Sequence, residues 1–391
     1  MTDGGVAAPR VSLVTIAREW TRIGCIGFGG PPAHIILLRR LCVEKQRWIE
    51  GKDFDDGIAA TNLLPGPAST QLAILCAWRL RGIAGALIGG ICFIVPGLIL
   101  ILALSVVFLD RNAPAWVLGT AAGAGAAIPA VALKAAGTLV SGSRRGMGAL
   151  RGEHVRWLVY VVVGGVMASV AGSYLVLALV ACGSVEIVAR SWGIEKPSGP
   201  ARAMSPAVLG HFGVVGGLGA LAWVAFKVGA LSYGGGFVIV PLMQHDVVST
   251  YHWMSSTQFL SAVALGQLTP GPVVQTVAAV GYAAKGIGGG LLAALIVFSP
   301  SFLFVLVGAP HFDRVRANTS VQSFLRGAGP AVIGAIAGSA IPLGRGLTHL
   351  RQIPILAGAM ILLFILRRSV VTCLILAGAV GLVLALSGVP V

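Results

Sequence analysis

Long apolar stretches alternate with short polar connectors along the whole chain. No charged residue occurs in residues 83–109 or 113–133, and further apolar stretches run over Val155–Val188, Val208–Ser232 and Ser369–Val391. A helix of about 20 apolar residues is long enough to cross the hydrocarbon core of a bilayer. The pattern predicts an all-α polytopic membrane protein with about ten to thirteen hydrophobic segments, some of them incomplete.

Several of these segments are interrupted by glycine and proline. Ile23–Gly30 ends in two glycines and is followed by two prolines, and Ile58–Leu64 stops at the sequence Pro65-Gly66-Pro67. Proline removes a backbone donor and blocks the helical turn before it. Each freed backbone group is costly in lipid, so such segments survive inside the protein or beside a cavity. We therefore expect broken, re-entrant half-helices that enter the membrane and turn back near the midplane.

The two interruptions recur as a pair later in the chain. GFGG at Gly27–Gly30 and LLPGP ending at Pro67 are followed, 205 residues on, by SYGG at Ser232–Gly235 and LTPGP ending at Pro272. The same offset pairs Gly24 with Gly229, Leu37 with Leu242, Trp48 with Trp253, Phe54 with Phe259, Leu63 with Leu268 and Ala73 with Ala278. Paired glycine- and proline-broken segments in two halves of a membrane protein indicate a transport site.

The repeat divides the chain into two homologous halves. We assign residues 1–190 to the first half and residues 207–391 to the second. The stretch between them, residues 191–206, is polar and ends at the third of three prolines, which is typical of a linker.

Loop charge predicts how the halves are oriented. The connector between the two motifs of the first half carries Arg39, Arg40, Lys45, Arg47 and Lys52. The corresponding connector of the second half, residues 245–257, contains no lysine or arginine. Because basic residues concentrate in cytoplasmic loops, we expect an inverted repeat with the N-terminus inside.

Composition narrows the class further. The chain is 56% hydrophobic and 10% charged, with a mean hydropathy of +0.90, whereas soluble domains are about 25% charged. The net charge is +15, but the basic residues lie between apolar stretches, so we expect a lipid bilayer and no nucleic acid as partner. The six cysteines have no CxxC spacing, and Walker A, HExxH and GxSxG patterns do not occur. We therefore expect no enzyme, no metal and no cofactor.

The two Pro-Gly-Pro sequences are the first candidates for binding. A helix that starts after Pro67 or Pro272 leaves several amide donors unpaired and carries roughly half a positive charge at its start. Two such starts, brought together by inverted symmetry, would bind an anion. A structural kink is the alternative. The predicted site includes Pro65, Gly66, Pro67, Pro270, Gly271 and Pro272.

Other candidates lie beside these turns, each with a structural alternative. Glycines that permit close approach of a solute, or of another helix, are Gly29, Gly30, Gly234 and Gly235. The equivalent cations Arg22 and Lys227 either face an anion or extend to the membrane interface. Polar groups that either donate to an oxyanion or satisfy loosened backbone are Asn62, Ser69, Gln267, Thr269 and Gln275. His34 aligns with Ile239, so we expect a structural histidine.

With GFGGPPAHIILL and NLLPGP in one half, and SYGGGFVIVPLM and QLTPGP in the other, the chain closely resembles the chromate ion transporter family in its long, two-domain form. The resemblance spans nearly the whole chain. It implies export of chromate from the cytoplasm across the cell (inner) membrane, which gives chromate resistance, with sulfate as a related oxyanion and oppositely oriented halves. Pro31-Pro32 departs from the second copy, which has Gly236-Phe237.

Two alternatives stay open at this point. The protein could instead transport or exchange sulfate or another oxyanion, or it could be an intramembrane enzyme or a scaffold that transports nothing; the absence of paired catalytic residues argues against the enzyme. A homodimer is a further open alternative, and the sequence does not identify a coupling ion.

Overall fold

The computed structural model describes residues 11–110, 113–145, 151–170, 172–191, 217–232, 237–308 and 317–388. Every regular element within these ranges is helical, as the sequence predicts. Five helical stretches are apolar and long enough to cross a membrane by length and composition: 68–108, 115–144, 152–170, 273–308 and 319–345.

The helices of the first half are α1 Leu13–Ile26, α2 Pro31–Arg39, α3 Gly51–Leu63, α4 Ala68–Phe108, α5 Ala115–Ala126, α6 Ile128–Arg145, α7 Arg151–Val170 and α8 Leu175–Ser191. Those of the second half are α9 Leu218–Leu231, α10 Ile239–Gln244, α11 Ser256–Leu268, α12 Thr276–Gly308, α13 Thr319–Arg345, α14 Gln352–Met360 and α15 Val370–Leu386. A π-helical turn follows α2, α10 and α14.

Helices α4 and α12 are each folded back on themselves. In α4 the backbone leaves helical geometry at Arg81 and Gly82, where Gly82 has φ +58°. Beyond this break Gly85 packs against the carbonyl of Ala77, and Gly90 packs against Ile74. The segment 68–80 is therefore antiparallel to the segment 83–108. Lys285 and Gly286 form the same break in α12.

Two short helical segments flank the first Pro-Gly-Pro turn. Helix α3 packs antiparallel on the first arm of α4, residues 68–80, with Gly57 against Leu72 and Leu75. At 1.5 Å per residue, α3 and this arm are each about 20 Å long, shorter than the roughly 30 Å core of a bilayer. This is the geometry that a re-entrant hairpin needs, although its depth in the bilayer stays a prediction.

Helix α1 ends at the GFGG turn, halfway along the second arm of α4. Trp20 lies beside Gly89, and Gly24 lies beside Phe93, so α1 runs parallel to that arm. The Trp20 indole N–H donates to the carbonyl of Ala73 at 2.9 Å. Helix α2 then runs back toward the start of the α3 hairpin. The two motif turns of the first half consequently lie together.

The two halves are inverted relative to each other. The equivalent arms of α4 and α12 pack side by side, with Gly90 against Phe302 and Leu102 against Gly290. Later residues of one arm thus meet earlier residues of the other, so the equivalent arms are antiparallel. This contact geometry agrees with the inverted repeat that loop charge predicts.

The repeat contains a shift of one residue that sequence comparison at a constant offset does not reveal. Gly24 against Phe93 corresponds to Gly229 against Val297, which is an offset of 205 for the glycines and 204 for their partners. The helix breaks and the prolines within α4 and α12 also correspond at 204. The shift falls after the second Pro-Gly-Pro, where a 3-10 turn, Val273–Gln275, precedes α12. The identity of Ala73 and Ala278 therefore does not mark equivalent positions.

The two halves pack extensively against each other. Helix α13 of the second half packs against α7 and α8, and α15 packs against α5. Glycines make these contacts close: Gly334 meets the carbonyl of Val161, and Gly123 meets the carbonyl of Ala377. The linker boundary at residues 191–206 stays a prediction, because residues 192–216 lie outside the described ranges.

Substitution of Gly334 tests the packing between halves. A methyl group there would clash with the Val161 carbonyl, so Gly334→Ala should lower stability by about 1–3 kcal/mol. Gly344→Ala is the matched control, because Gly344 lies on the same helix with open space around its Cα. The measurement is thermal denaturation of the purified protein, followed as loss of the monodisperse peak. Equal midpoints for the two variants would contradict the packing.

Cysteine labelling tests the inverted arrangement in the membrane. Arg81 and Lys285 are exposed residues at equivalent helix breaks. A membrane-impermeant thiol reagent should reach Arg81→Cys only from the cytoplasmic side and Lys285→Cys only from the outside, because inversion places the breaks on opposite faces. The unsubstituted protein corrects for Cys25, which is exposed. Labelling of both cysteines from one side would refute the arrangement.

Candidate functional site

Each Pro-Gly-Pro turn packs against the other half of the protein. Gly66 lies against the carbonyl of Gly229 and the hydroxyl of Ser301. In the opposite direction, the Gly271 N–H donates to the carbonyl of Gly27 at 3.0 Å, and Gly97 lies against the carbonyl of Pro270. Each of the two turns that the sequence predicts as a pair therefore contacts the opposite half of the protein.

The local sequence explains why the chain turns here. Gly66 has φ +116° and Gly271 has φ +90°, values that L-residues with a side chain rarely adopt. The prolines on either side stop the preceding helix and fix the start of the next one. Helix α4 has no side-chain cap at its start, and neither has the 3-10 turn Val273–Gln275 that leads into α12. The first amide groups after each turn therefore have no acceptor from a capping side chain.

His34 connects the GFGG turn to both Pro-Gly-Pro turns. It is fully buried, its Nε2 is 2.9 Å from the carbonyl oxygen of Gly27, and its Nδ1 is 3.2 Å from Ser69 Oγ. A carbonyl oxygen only accepts, so Nε2 carries the hydrogen and Nδ1 of the neutral ring accepts from the Ser69 hydroxyl. The same Gly27 oxygen accepts the Gly271 N–H. The structural role expected for His34 is what these contacts provide.

Two glutamines complete the connection. Gln71 Nε2 donates to the carbonyl of Pro65 at 2.6 Å, within the first turn. Gln275 Nε2 donates to the carbonyl of Ile94 at 2.8 Å, across the boundary between halves. Both side chains are fully buried. The two glutamines occupy equivalent positions at the shifted offset of 204. Gln71 nevertheless bonds a carbonyl of its own half, whereas Gln275 bonds a carbonyl of the opposite half.

Unpaired polar atoms cluster around these turns. Six buried side-chain atoms in the described ranges have no hydrogen-bond partner: Thr70 Oγ1, Gln71 Oε1, Ser232 Oγ, Gln267 Nε2, Gln275 Oε1 and Ser301 Oγ. All six belong to segments at or next to the two Pro-Gly-Pro turns, to the end of α9 or to the middle of α12. Buried polar groups are normally paired, so a cluster of exceptions requires a functional or solvent explanation. Three hydroxyls and one amide of this cluster can donate to an anion.

The structure places most of the predicted residues at this meeting point. Those buried around the turns are Gly30, Gly66, Pro67, Ser69, Thr269, Pro270, Gly271, Pro272 and Gln275. Gln267 is half-buried, and Gly29, Asn62 and Pro65 are exposed. Gly234 and Gly235 lie outside the described residues. Because the Ser69 hydroxyl already donates to His34, its oxygen is left as an acceptor.

The predicted cations are both in ion pairs. Arg22 is 62% exposed at its side chain and lies 3.7 Å from the buried carboxylate of Glu19. Lys227 is only 13% exposed and pairs with the Asp246 carboxylate, which follows α10. The equivalent positions therefore differ in burial and in partner. A role of either cation toward an anion stays a prediction.

Sequence reasoning left two residues out of the candidate site. Ser301 and Ser232 contribute unpaired hydroxyls. Alignment with the one-residue shift pairs Ser301 with Gly97, and each of these residues follows a proline that lies inside its helix. The contact of Ser301 with the other half had no sequence signal.

Comparison with known proteins identifies the family. The sequence model of the Chromate transporter family matches residues 14–187 and 219–382, which lie in the two halves. A chromate transport protein of Cupriavidus metallidurans is 31% identical over 344 residues, which cover 86% of this chain and 84% of the relative. A probable chromate transport protein of Synechococcus elongatus is 28% identical, covering 87% of each chain. A chromate transport protein of Pseudomonas aeruginosa is 28% identical, covering 86% of this chain and 82% of the relative.

Comparison with solved structures gives no significant match. The family match covers most of both halves, and the described chain contains several apolar helices of membrane length. This multi-pass membrane protein therefore belongs to the chromate transporter family.

Proposed function

We propose that the protein exports chromate from the cytoplasm across the inner membrane and thereby gives chromate resistance. The observation that carries the proposal is that two Pro-Gly-Pro turns, from oppositely oriented halves, each pack against the other half, with buried unpaired donors in the segments around them. Discontinuous helices of this kind form the substrate sites of many secondary transporters. The names of the relatives supply the solute, chromate.

The donor set suits a tetrahedral oxyanion. Hydroxyls of Thr70, Ser232 and Ser301 and the amide of Gln267 are buried and unpaired, and two uncapped helix starts add backbone amides and positive dipole ends. A dianion bound in this way needs no lysine or arginine in direct contact. The site can then release its solute, because it holds the charge with dipoles rather than with a buried ion pair.

Voltage alone is sufficient to drive export of a dianion. Moving one elementary charge through 100 mV is worth about 2.3 kcal/mol, so two charges give about 4.6 kcal/mol. This energy sustains a concentration ratio of about a thousandfold. With the cell interior negative, the ratio favours the outside. We therefore propose voltage-driven transport without a nucleotide.

Sulfate is the second solute to consider, because it has the same tetrahedral shape and charge. Hydroxyl and amide donors bind both anions through the same oxygen geometry. Sulfate transport or exchange is therefore the alternative that the experiments must separate. Dimer formation likewise stays a prediction.

Transport in proteoliposomes tests the proposal. Purified protein is reconstituted, a membrane potential is imposed with a potassium gradient and valinomycin, and radioactive chromate is followed with and without a pH gradient. We expect chromate to accumulate in vesicles with a positive interior and not in vesicles with a negative interior. Protein-free vesicles are the control, and unlabelled sulfate is added as competitor.

The outcomes separate the parts of the proposal. Accumulation that follows the pH gradient and ignores voltage would contradict the driving force. Transport of labelled sulfate without transport of chromate would contradict the solute and favour the alternative. In living cells, export predicts a lower chromate content in cells that carry the protein, and a higher content would contradict the direction.

Removal of one unpaired hydroxyl tests the site. A hydrogen bond to a charged group is worth about 1.5–3 kcal/mol, so Ser301→Ala should raise the KM for chromate by about tenfold or more. Ser299→Ala is the matched control, because Ser299 lies on the same helix and its exposed hydroxyl already donates to the Ile296 carbonyl. The Ser301 hydroxyl has no protein partner, so Ser301→Ala should not lower thermal stability. An unchanged KM would remove Ser301 from the site.

A further inference from the structure

A cavity of about 580 Å³ lies between α6, α7, α8 and α13, and Asn62 near the end of α3 also lines it. Gly142, Ser143 and Glu153 line it near the ends of α6 and α7. Asn62 is exposed and is three residues before Pro65, so the cavity adjoins the segment that leads into the first Pro-Gly-Pro turn.

Two acidic residues line the cavity, and arginine neutralises both. Glu186 is 3% exposed and accepts hydrogen bonds from Arg156 Nε at 3.0 Å, Arg190 Nε at 2.7 Å and the Tyr160 hydroxyl at 3.1 Å. Arg190 also bonds Glu153 at 2.8 Å. The two carboxylates and the two arginines therefore balance each other in charge.

Arg326 adds a positive charge that this network does not use. It lines the same cavity from α13 and is exposed. Within the described ranges it has no ion-pair partner. Counted together with Arg156, which bonds Glu186 from outside the cavity lining, these charged groups leave a surplus of one positive charge beside the cavity. A cleft with charge of one sign and low-dielectric walls raises the local concentration of ions of opposite charge.

We infer that this cavity is the vestibule through which a small oxyanion enters from the side of the connection between α6 and α7, and that Arg326 attracts the anion into it. The ends of α6 and α7 on either side of that connection carry the basic residues Arg144, Arg145 and Arg151, so the positive-inside rule places the entrance in the cytoplasm. The inference rests on the proposed function for the identity of the anion. The vestibule leads to Asn62 and hence to the first Pro-Gly-Pro turn.

Thiol labelling tests the vestibule without any transport measurement. Thr138 is exposed and lines the cavity, so Thr138→Cys should react with water-soluble methanethiosulfonates in inside-out vesicles and not from the outside. An anionic reagent should lose about tenfold in rate when Arg326→Gln is added, while a cationic reagent of similar size should not slow. Leu158→Cys is the control, because Leu158 is exposed on α7 but does not line the cavity.

The results decide the inference in either direction. Labelling from the outside alone, equal labelling of Thr138→Cys and Leu158→Cys, or an anionic rate that does not depend on Arg326 would each overturn it. If Arg326→Gln does not fold, Arg326→Lys serves in the comparison with the unsubstituted arginine. Lysine keeps the charge and should keep the preference for the anionic reagent.

Chromate transport then gives a second readout. Arg326→Gln should raise the KM about tenfold with little change in kcat, and Arg326→Lys should restore most of the affinity. Arg351→Gln, at an exposed arginine outside the cavity, should leave the KM unchanged. A lower kcat with an unchanged KM would overturn the capture role. If the unsubstituted protein moves no chromate, the proposed solute fails, whereas the labelling result still decides the vestibule.

Discussion

The carbonyl oxygen of Gly27 holds the centre of this protein together. It accepts one hydrogen bond from His34, in the same half, and another from the Gly271 N–H, in the opposite half. Broken helices inside a membrane protein must have their freed backbone groups satisfied by the protein itself. Here one such group, the Gly271 N–H, is satisfied from across the boundary between halves. Helices α13 and α15 also pack on the opposite half.

The two halves of the inverted repeat have different polar side chains at equivalent positions around their turns. His34 and Ser69 hold the first Pro-Gly-Pro turn, while their equivalents are Ile239 and Val273, which have no polar side chain. Conversely, the hydroxyl of Ser301 is matched by Gly97. The His34–Ser69 pair thus belongs to the first half alone, whereas the second half contains three of the four unpaired donors, with Thr70 of the first half as the fourth. The proline pair after GFGG, which has no match in the second half, belongs to the same asymmetry.

The unpaired donors and the vestibule connect the fold to the proposed transport. Four buried unpaired donors belong to the segments around the two turns, to the end of α9 and to α12, and Asn62, three residues before Pro65, lines the cavity. Glu186, Glu153, Arg156 and Arg190 form an ion-pair network of zero net charge beside the cavity. In the proposed transport, backbone and side-chain dipoles around the turns hold the anion. The surplus positive charge of the vestibule attracts it.

The sequence by itself determined the helical class, the duplication, the places where helices break and the difference in loop charge. These follow from local chemistry: apolar length, proline without an N–H, and glycine at positive φ. Most residues predicted around the Pro-Gly-Pro turns lie there for the same reason. Only the tertiary structure decided the pairing of Lys227 with Asp246, the contact of Gly66 with Ser301, and the one-residue shift that separates Ala73 from Ala278. Such contacts join residues far apart in the chain, and their selection depends on how closely glycine-bearing backbones approach across two inverted halves.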